Sequence, residues 1–193
     1  MRKNNLFFVC LILLQVLSGC AAKGLGIEKN YDMSKYPGRS IVIGKIKAKF
    51  ENVLSQPTFT TFLLVDDLTR EEIVRQRFSR GKHFFIALDA GEYNIEQLLL
   101  GYGIFGGLGD ITDSVPVNKK FTVGTNEVIY IGKLETEYRL EDVAPSILQL
   151  GRINIFQWII KQVRVSDEYD IAVKEFHKLY PDIKRDVRKN LLR

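Results

Sequence analysis

The chain has 193 residues, with 28 Lys and Arg against 23 Asp and Glu, a net charge of +5, and 46% hydrophobic residues. That is enough apolar material for one globular core, and the positive excess is too small to mark a nucleic-acid surface. Two cysteines allow one disulfide at most, so the chain is not of the disulfide-rich class.

The first element is a leader. Arg2 and Lys3 precede an apolar run from Leu6 to Leu17, broken only by Cys10 and Gln15, and Ser18, Gly19 and Cys20 come after it. A basic start, about a dozen apolar residues and a small-residue site predict a secretory signal peptide over residues 1–19. The run is shorter than the roughly 20 residues that span a bilayer. The segment Leu17-Ser18-Gly19-Cys20 resembles the lipobox of bacterial lipoproteins. The resemblance implies cleavage before Cys20 and acylation of Cys20. It also implies loss of Cys10 and, with Ala21 rather than Asp next, the periplasmic face of the outer membrane in a Gram-negative host. An ordinary signal peptide or a buried N-terminal helix is the alternative. Removing residues 1–19 takes away two bases and no acid, leaving 174 residues of net charge +3. No free thiol then remains for a metal or a nucleophile. The expected partners are the membrane, through the lipid, and a protein of the envelope, not nucleic acid.

Residues 20–39 hold Lys23, Gly24, Gly26, Lys35, Pro37 and Gly38 with little apolar periodicity, and predict a tether. Tyr31, Met33 and Tyr36 are available to pack back on the domain.

Strands are expected across residues 40–165. "SIVIGKIKAKF" places Ile41 and Ile43, then Ile46, Ala48 and Phe50, so its parity switches at Gly44, predicting a bulge or bend. Lys45, Lys47 and Lys49 form a row, either a solvated face that discourages edge pairing or a surface for headgroup or glycan phosphates. "TFTTFLLVDD" and "EIVRQRF" read as strands about an acidic turn of Asp66, Asp67, Glu71 and Glu72. Phe84, Ile86 and Leu88 come after a turn at Gly81, and a corner at Asp89 to Gly91 leads to Tyr93, Ile95 and Leu99. "FTVGTNEVIYIGKLE" reads as a hairpin turning at Gly124 to Asn126, with Val128, Tyr130 and Leu134 on one face. "INIFQWIIKQVRV" supplies the last strand. The fold class is mainly β, a single antiparallel sandwich of Greek-key type.

The segment "LDAGEY", Leu88 to Tyr93, resembles the tyrosine corner of Greek-key sandwiches. With "VIYIG", Val128 to Gly132, the stretch from Lys82 to Glu135 is similar to bacterial lipoproteins of carboxypeptidase-regulatory-like or transthyretin-like fold. Ala90 stands where those families usually have Pro. The resemblance implies a structural Tyr93, its hydroxyl bonded to backbone a few residues upstream.

Gly101, Gly103 and Gly106 spell G-x-G-x-x-G, but a dinucleotide site also needs a helix directly after them. Asp110, Thr112, Asp113, Ser114 and Pro116 come next and then another strand, so no nucleotide is expected. Ile104, Phe105 and Leu108 belong either to a plain connection or to an exposed tip that meets a partner or a membrane.

Catalytic groups are scarce. His83 and His177 are far apart in sequence, no Ser lies in a G-x-S-x-G setting, and no spacing suggests zinc. Neither metal nor cofactor is expected. The acidic pairs lie in turns, and nothing selects two carboxylates for glycan hydrolysis.

Residues 166–193 change character. Ser166 reads as an N-cap with Asp167 and Glu168 in the first turn. Ile171, Ala172, Phe176 and Leu179 form an apolar stripe, and Pro181 stops or kinks the helix. Ile183, Val187 and Leu191 continue among Lys184, Arg185, Arg188, Lys189 and Arg193. The segment predicts a helix or kinked helix pair on the sandwich, or an amphipathic end that binds a partner or membrane. The functional expectation is a lipid-anchored, non-enzymatic binding or accessory module of envelope assembly or maintenance. A hydrolase of envelope glycan or lipid is the alternative.

Overall fold

A computed structural model describes residues 26–51, 59–78, 81–103, 110–142 and 156–193. Among these residues nine strands succeed one another: β1 (Ser40–Phe50), β2 (Phe59–Asp66), β3 (Glu72–Phe78), β4 (His83–Leu88), β5 (Gly91–Gly103), β6 (Asp110–Val123), β7 (Val128–Asp142), β8 (Phe156–Ser166) and, after helix α1 (Tyr169–Leu179), the short β9 (Val187–Lys189). Sheet one has the order β4-β1-β7-β8, with β9 beside β7, and sheet two the order β3-β2-β5-β6. The mainly β sandwich with a C-terminal helix is therefore present. Strand pairs β2–β3, β5–β6 and β7–β8 stay within a sheet, whereas the chain changes sheet after β1, β3, β4 and β6. Two pairings, β1 with β7 and β7 with β9, are parallel in otherwise antiparallel sheets.

The inward faces of the sheets meet in one core containing Val42, Ile46, Phe62, Leu64, Phe84, Ile95, Leu98, Leu134 and Tyr138. A second apolar layer lies on the other side of sheet one, where Ile41, Ile43, Val128 and Tyr130 pack against Ala172, Phe176 and Tyr180. The molecule is thus three layers deep over half of sheet one. This corrects the parity expected in β1. Val42, Gly44 and Ile46 keep one unbroken alternation toward the inter-sheet core, and Ile41 and Ile43 are buried because the helix covers them. Gly44 is set there by contact rather than by a bend, since a Cβ would come within 2.4 Å of the Phe84 ring.

The irregularity is in β7. Ile43 pairs with Tyr130 but Lys45 pairs with Lys133, so β7 holds one extra residue. Gly132 takes up the bulge at φ 98°, a left-handed conformation suited to glycine. A second bulge, between Ile95 and Gln97, turns Leu98 and Leu100 rather than Leu99 toward the core.

The turn at Gly124 to Asn126 is not a hairpin turn. It carries the chain from β6 in sheet two to β7 in sheet one. Ser40 and Glu127 hold it: the Ser40 hydroxyl donates to the Gly124 carbonyl at 2.7 Å, and the Glu127 carboxylate accepts from the Gly124 amide at 2.6 Å.

Helix α1 begins at Tyr169, not at a Ser166 cap; Ser166 is the last residue of β8. Glu168 stands at the cap position, but its side chain makes no capping bond because it is drawn to Lys45 and Lys133. The buried stripe is Ala172 and Phe176 with Tyr169 and Val173 partly buried, while Ile171 and Leu179 face out. Beyond Pro181 there is no second helix. Ile183, Val187 and Leu192 are buried, and the segment pairs with β7 as β9.

Both ends of the described chain lace the layers together. Gly26 bridges Ile86 in an antiparallel sense, the Ile27 amide donates to the Phe85 carbonyl at 3.1 Å, and the Tyr180 hydroxyl donates to the Ile27 carbonyl at 3.1 Å. At the other end the Leu192 amide donates to the Ile131 carbonyl at 2.9 Å in sheet one. Arg193 and Lys120 of sheet two exchange backbone bonds at 3.0 and 3.2 Å. Leu192 plugs the core between those contacts.

Candidate functional site

The lysine row of β1 lies on the outer face of sheet one, below the end of the helix. Lys45 is largely buried and binds Glu168 at 2.7 Å. Lys133, its neighbour across the parallel pair, binds Glu168 at 2.7 Å and Glu135 at 2.9 Å, and Arg164 binds Glu135 at 2.6 Å. Lys47 and Lys49 are exposed and stand in register with Glu135 and Glu137. Each carboxylate of the network is thus shared by two cations, Glu168 by Lys45 and Lys133 and Glu135 by Lys133 and Arg164. Hydrogen bonds from Lys133, then Arg164, hold the Glu135 carboxyl down at about 2. Lys133 and Lys45 hold Glu168 below the usual carboxylate range, and Lys133 is raised in turn by both acids. Carboxylates so committed to fixed cations are poor proton donors near neutral pH.

Tyr93 runs inward from the start of β5, and its hydroxyl donates to the Asp89 carbonyl at 2.9 Å, four residues upstream. Burial pushes this phenol up to about 12. Its ring stacks on Phe121 with centroids 5.7 Å apart. Tyr93 therefore ties the crossing from sheet one to sheet two and offers no proton.

The two histidines are not together. His83 opens β4 with its side chain 1% exposed and Nδ1 at 2.7 Å from Glu175 of the helix; His177 lies on the exposed side of that helix. Asp66 caps its own turn, accepting from the Leu68 and Thr69 amides at 2.9 and 2.8 Å, and Asp67 binds Lys120 at 2.7 Å. The acidic turn is thus a structural cap. Cys20 and the loop positions Ile104, Phe105 and Leu108 lie outside the described residues.

The feature that sequence reading missed is a groove of about 680 Å³ between the two ends of the chain. One wall is the segment around Tyr31 to Pro37, and the other is the turn after the helix, Tyr180 to Arg185, with Asn126 at its base. The first wall is held by local contacts: Met33 is buried, Asp32 caps the short turn by accepting from the Ser34 amide at 3.0 Å, and Tyr31 stacks on Tyr36 at 5.2 Å. In the second wall Arg185 donates to the Asn126 carbonyl. Lys29, Lys184 and Arg185 face Asp32 and Asp182 around the opening, so its charge is mixed. The one signal in the sequence was the trio Tyr31, Met33 and Tyr36 inside an otherwise tether-like stretch.

Among the described residues no cluster of His, Cys, Asp and Glu has the geometry to hold a metal, and no helix is long and apolar enough to cross a membrane. Comparison with protein-family models, with curated proteins and with solved structures found no match.

Proposed function

We propose that the chain is a lipid-anchored protein of the bacterial envelope, acylated at Cys20, and that its sandwich is a non-enzymatic binding or accessory module for an envelope protein partner. The observation that carries the reading is the sequence Leu17-Ser18-Gly19-Cys20 behind a basic and apolar leader, and the attachment of the N-terminal segment says how such an anchor would hold the domain. From Gly26 onward, six residues after Cys20, the chain is bonded to β4 and to Tyr180, so an acyl group on Cys20 holds a rigid domain close to the bilayer. Two or three acyl chains, at about 0.8 kcal/mol per buried methylene, make such attachment effectively permanent. Ala21 favours the outer membrane of a Gram-negative host. The non-enzymatic part of the reading is supported by Glu135 and Glu168 on the outer face of sheet one, which are tied to lysine and arginine and are poor proton donors.

The test is intact mass of the protein taken from its native membrane, beside Cys20→Ala, with crosslinked partners identified from the same material. A chain beginning at a di- or triacylated Cys20, absent from the variant, with envelope proteins crosslinked to it, is the expected result. An unacylated mature chain overturns the anchor; turnover of envelope glycan or lipid by the purified protein overturns the non-enzymatic role.

A further inference from the structure

The N-terminal attachment has a direction. β4 runs from His83 to Leu88, and Gly26 meets Ile86 in antiparallel sense, only two residues short of the Leu88 end. That is about 7 Å at the usual strand rise. The opposite end of the molecule is much farther away. Ile86 lies in register with Val42 and Ile129, and β7 continues 13 residues beyond Ile129 to Asp142, about 40 Å. Six Cα steps from Cys20 to Gly26 span at most about 21 Å. The leash therefore reaches a bilayer beneath the Leu88 end and falls short of one beneath the Asp142 end.

The Leu88 end also has the side chains for an interface. Leu68, at the tip of the β2–β3 turn, is 80% exposed, and Tyr36 is 46% exposed. Both belong to this end: Asp66 pairs with Tyr93 and the Asp67 amide donates to the Glu92 carbonyl, while Tyr36 lies under Arg39, which binds Asp89 at 3.1 Å. An apolar tip and a tyrosine pair are groups that favour the boundary between headgroups and acyl chains. Lys29, Lys184 and Arg185 at the groove, against Asp32 and Asp182, leave one net positive charge there for headgroup phosphates.

We infer that the end of the sandwich carrying Leu68, Tyr36 and the groove mouth faces the bilayer that holds the lipid anchor, with Leu68 and Tyr36 in the headgroup region. The inference rests on acylation of Cys20. It has a consequence for the far ends of β5 and β6, where Gly103 and Asp110 stand in register. Those strand ends are presented away from the anchoring membrane, toward whatever partner approaches from the other side.

The test uses the full acylated protein in vesicles of phosphatidylethanolamine and phosphatidylglycerol doped with brominated phosphatidylcholine. Acylation occupies the Cys20 sulfur, so a cysteine at Leu68→Cys or Ser114→Cys is the sole free thiol for a fluorophore. Ser114 is exposed on β6, opposite Leu99 and toward the far end. The label at position 68 should be quenched at least twofold more than the label at 114, and Lys184→Glu with Arg185→Glu should reduce that contrast. Equal quenching with an acylated Cys20 overturns the orientation alone. An unacylated Cys20, read from the mass of the same sample, overturns the orientation together with the anchor.

Discussion

Single residues carry their parts of this fold in distinguishable ways. Tyr93→Phe removes one hydroxyl bond to Asp89 and keeps the ring on Phe121, so it should cost about 1 kcal/mol, a loss of roughly 2–4 °C in Tm. Gly44→Ala should cost more, about 1–3 kcal/mol, because its Cβ would stand 2.4 Å from the buried Phe84 ring. Urea midpoints of the two variants check both values. Acid should act on the ion-pair network. Glu135 titrates at about 2 in the folded chain against 4.5 for a free glutamate, so its contribution is full above 4.5 and lost as pH falls toward 2. Glu135→Gln should therefore lower stability at pH 7 by about 1–2 kcal/mol, with Arg164 mostly exposed and screened, and flatten the profile between pH 4.5 and 2. A variant that keeps the parental acid slope, measured by urea midpoint at pH 7, 4 and 3, would show that the slope arises elsewhere.

At the scale of elements, local pattern was a good guide and long-range cover was not. The strand "SIVIGKIKAKF" is β1 as read, and the corner before Tyr93 sits where its residues imply, because alternation and turn residues act within a few positions. Three things escaped. Ile41 and Ile43 are buried by a helix that begins at Tyr169, far along the chain, so no local period could reveal that β1 is covered on both faces. The Gly124 to Asn126 turn has the residues of a hairpin, but sheet choice is set by Ser40 and Glu127, which close it from outside. Ile183, Val187 and Leu191 keep a spacing of four that reads as helix, yet the open flank of β7 takes the chain as a strand after Pro181. The helix face itself offers a clean comparison. Ile171→Ala, on the exposed side, should change stability by less than about 0.5 kcal/mol, and Phe176→Ala, fully buried, should cost about 3–5 kcal/mol. Leu192→Ala at the plug should lie between them at about 2 kcal/mol. Equal losses for Ile171 and Phe176 would restore the stripe read from sequence.

For the whole molecule, the two ends of the chain do opposite jobs with similar means. The C-terminal residues close the sandwich at the β6 and β7 side, and the N-terminal segment closes it at β4, where Gly26 pairs two residues from the Leu88 end. The same bonds that stabilise the edge therefore set which end is nearest to Cys20. If leash length rather than surface chemistry fixes the orientation, lengthening the leash should release it without touching the fold. Twenty Gly and Ser residues inserted between Ala22 and Lys23 leave every contact from Gly26 onward in place and add a flexible span of about 22–27 Å root-mean-square, with far greater extended reach. The Tm should stay within about 1 °C of the parent, since an unstructured insertion outside the packed layers removes no contact. The quenching contrast between labels at positions 68 and 114 should fall toward unity as the domain turns freely above the membrane. A contrast that survives the insertion would assign the orientation to contact of Leu68 and Tyr36 with lipid, and Leu68→Ser in the lengthened chain should then abolish it.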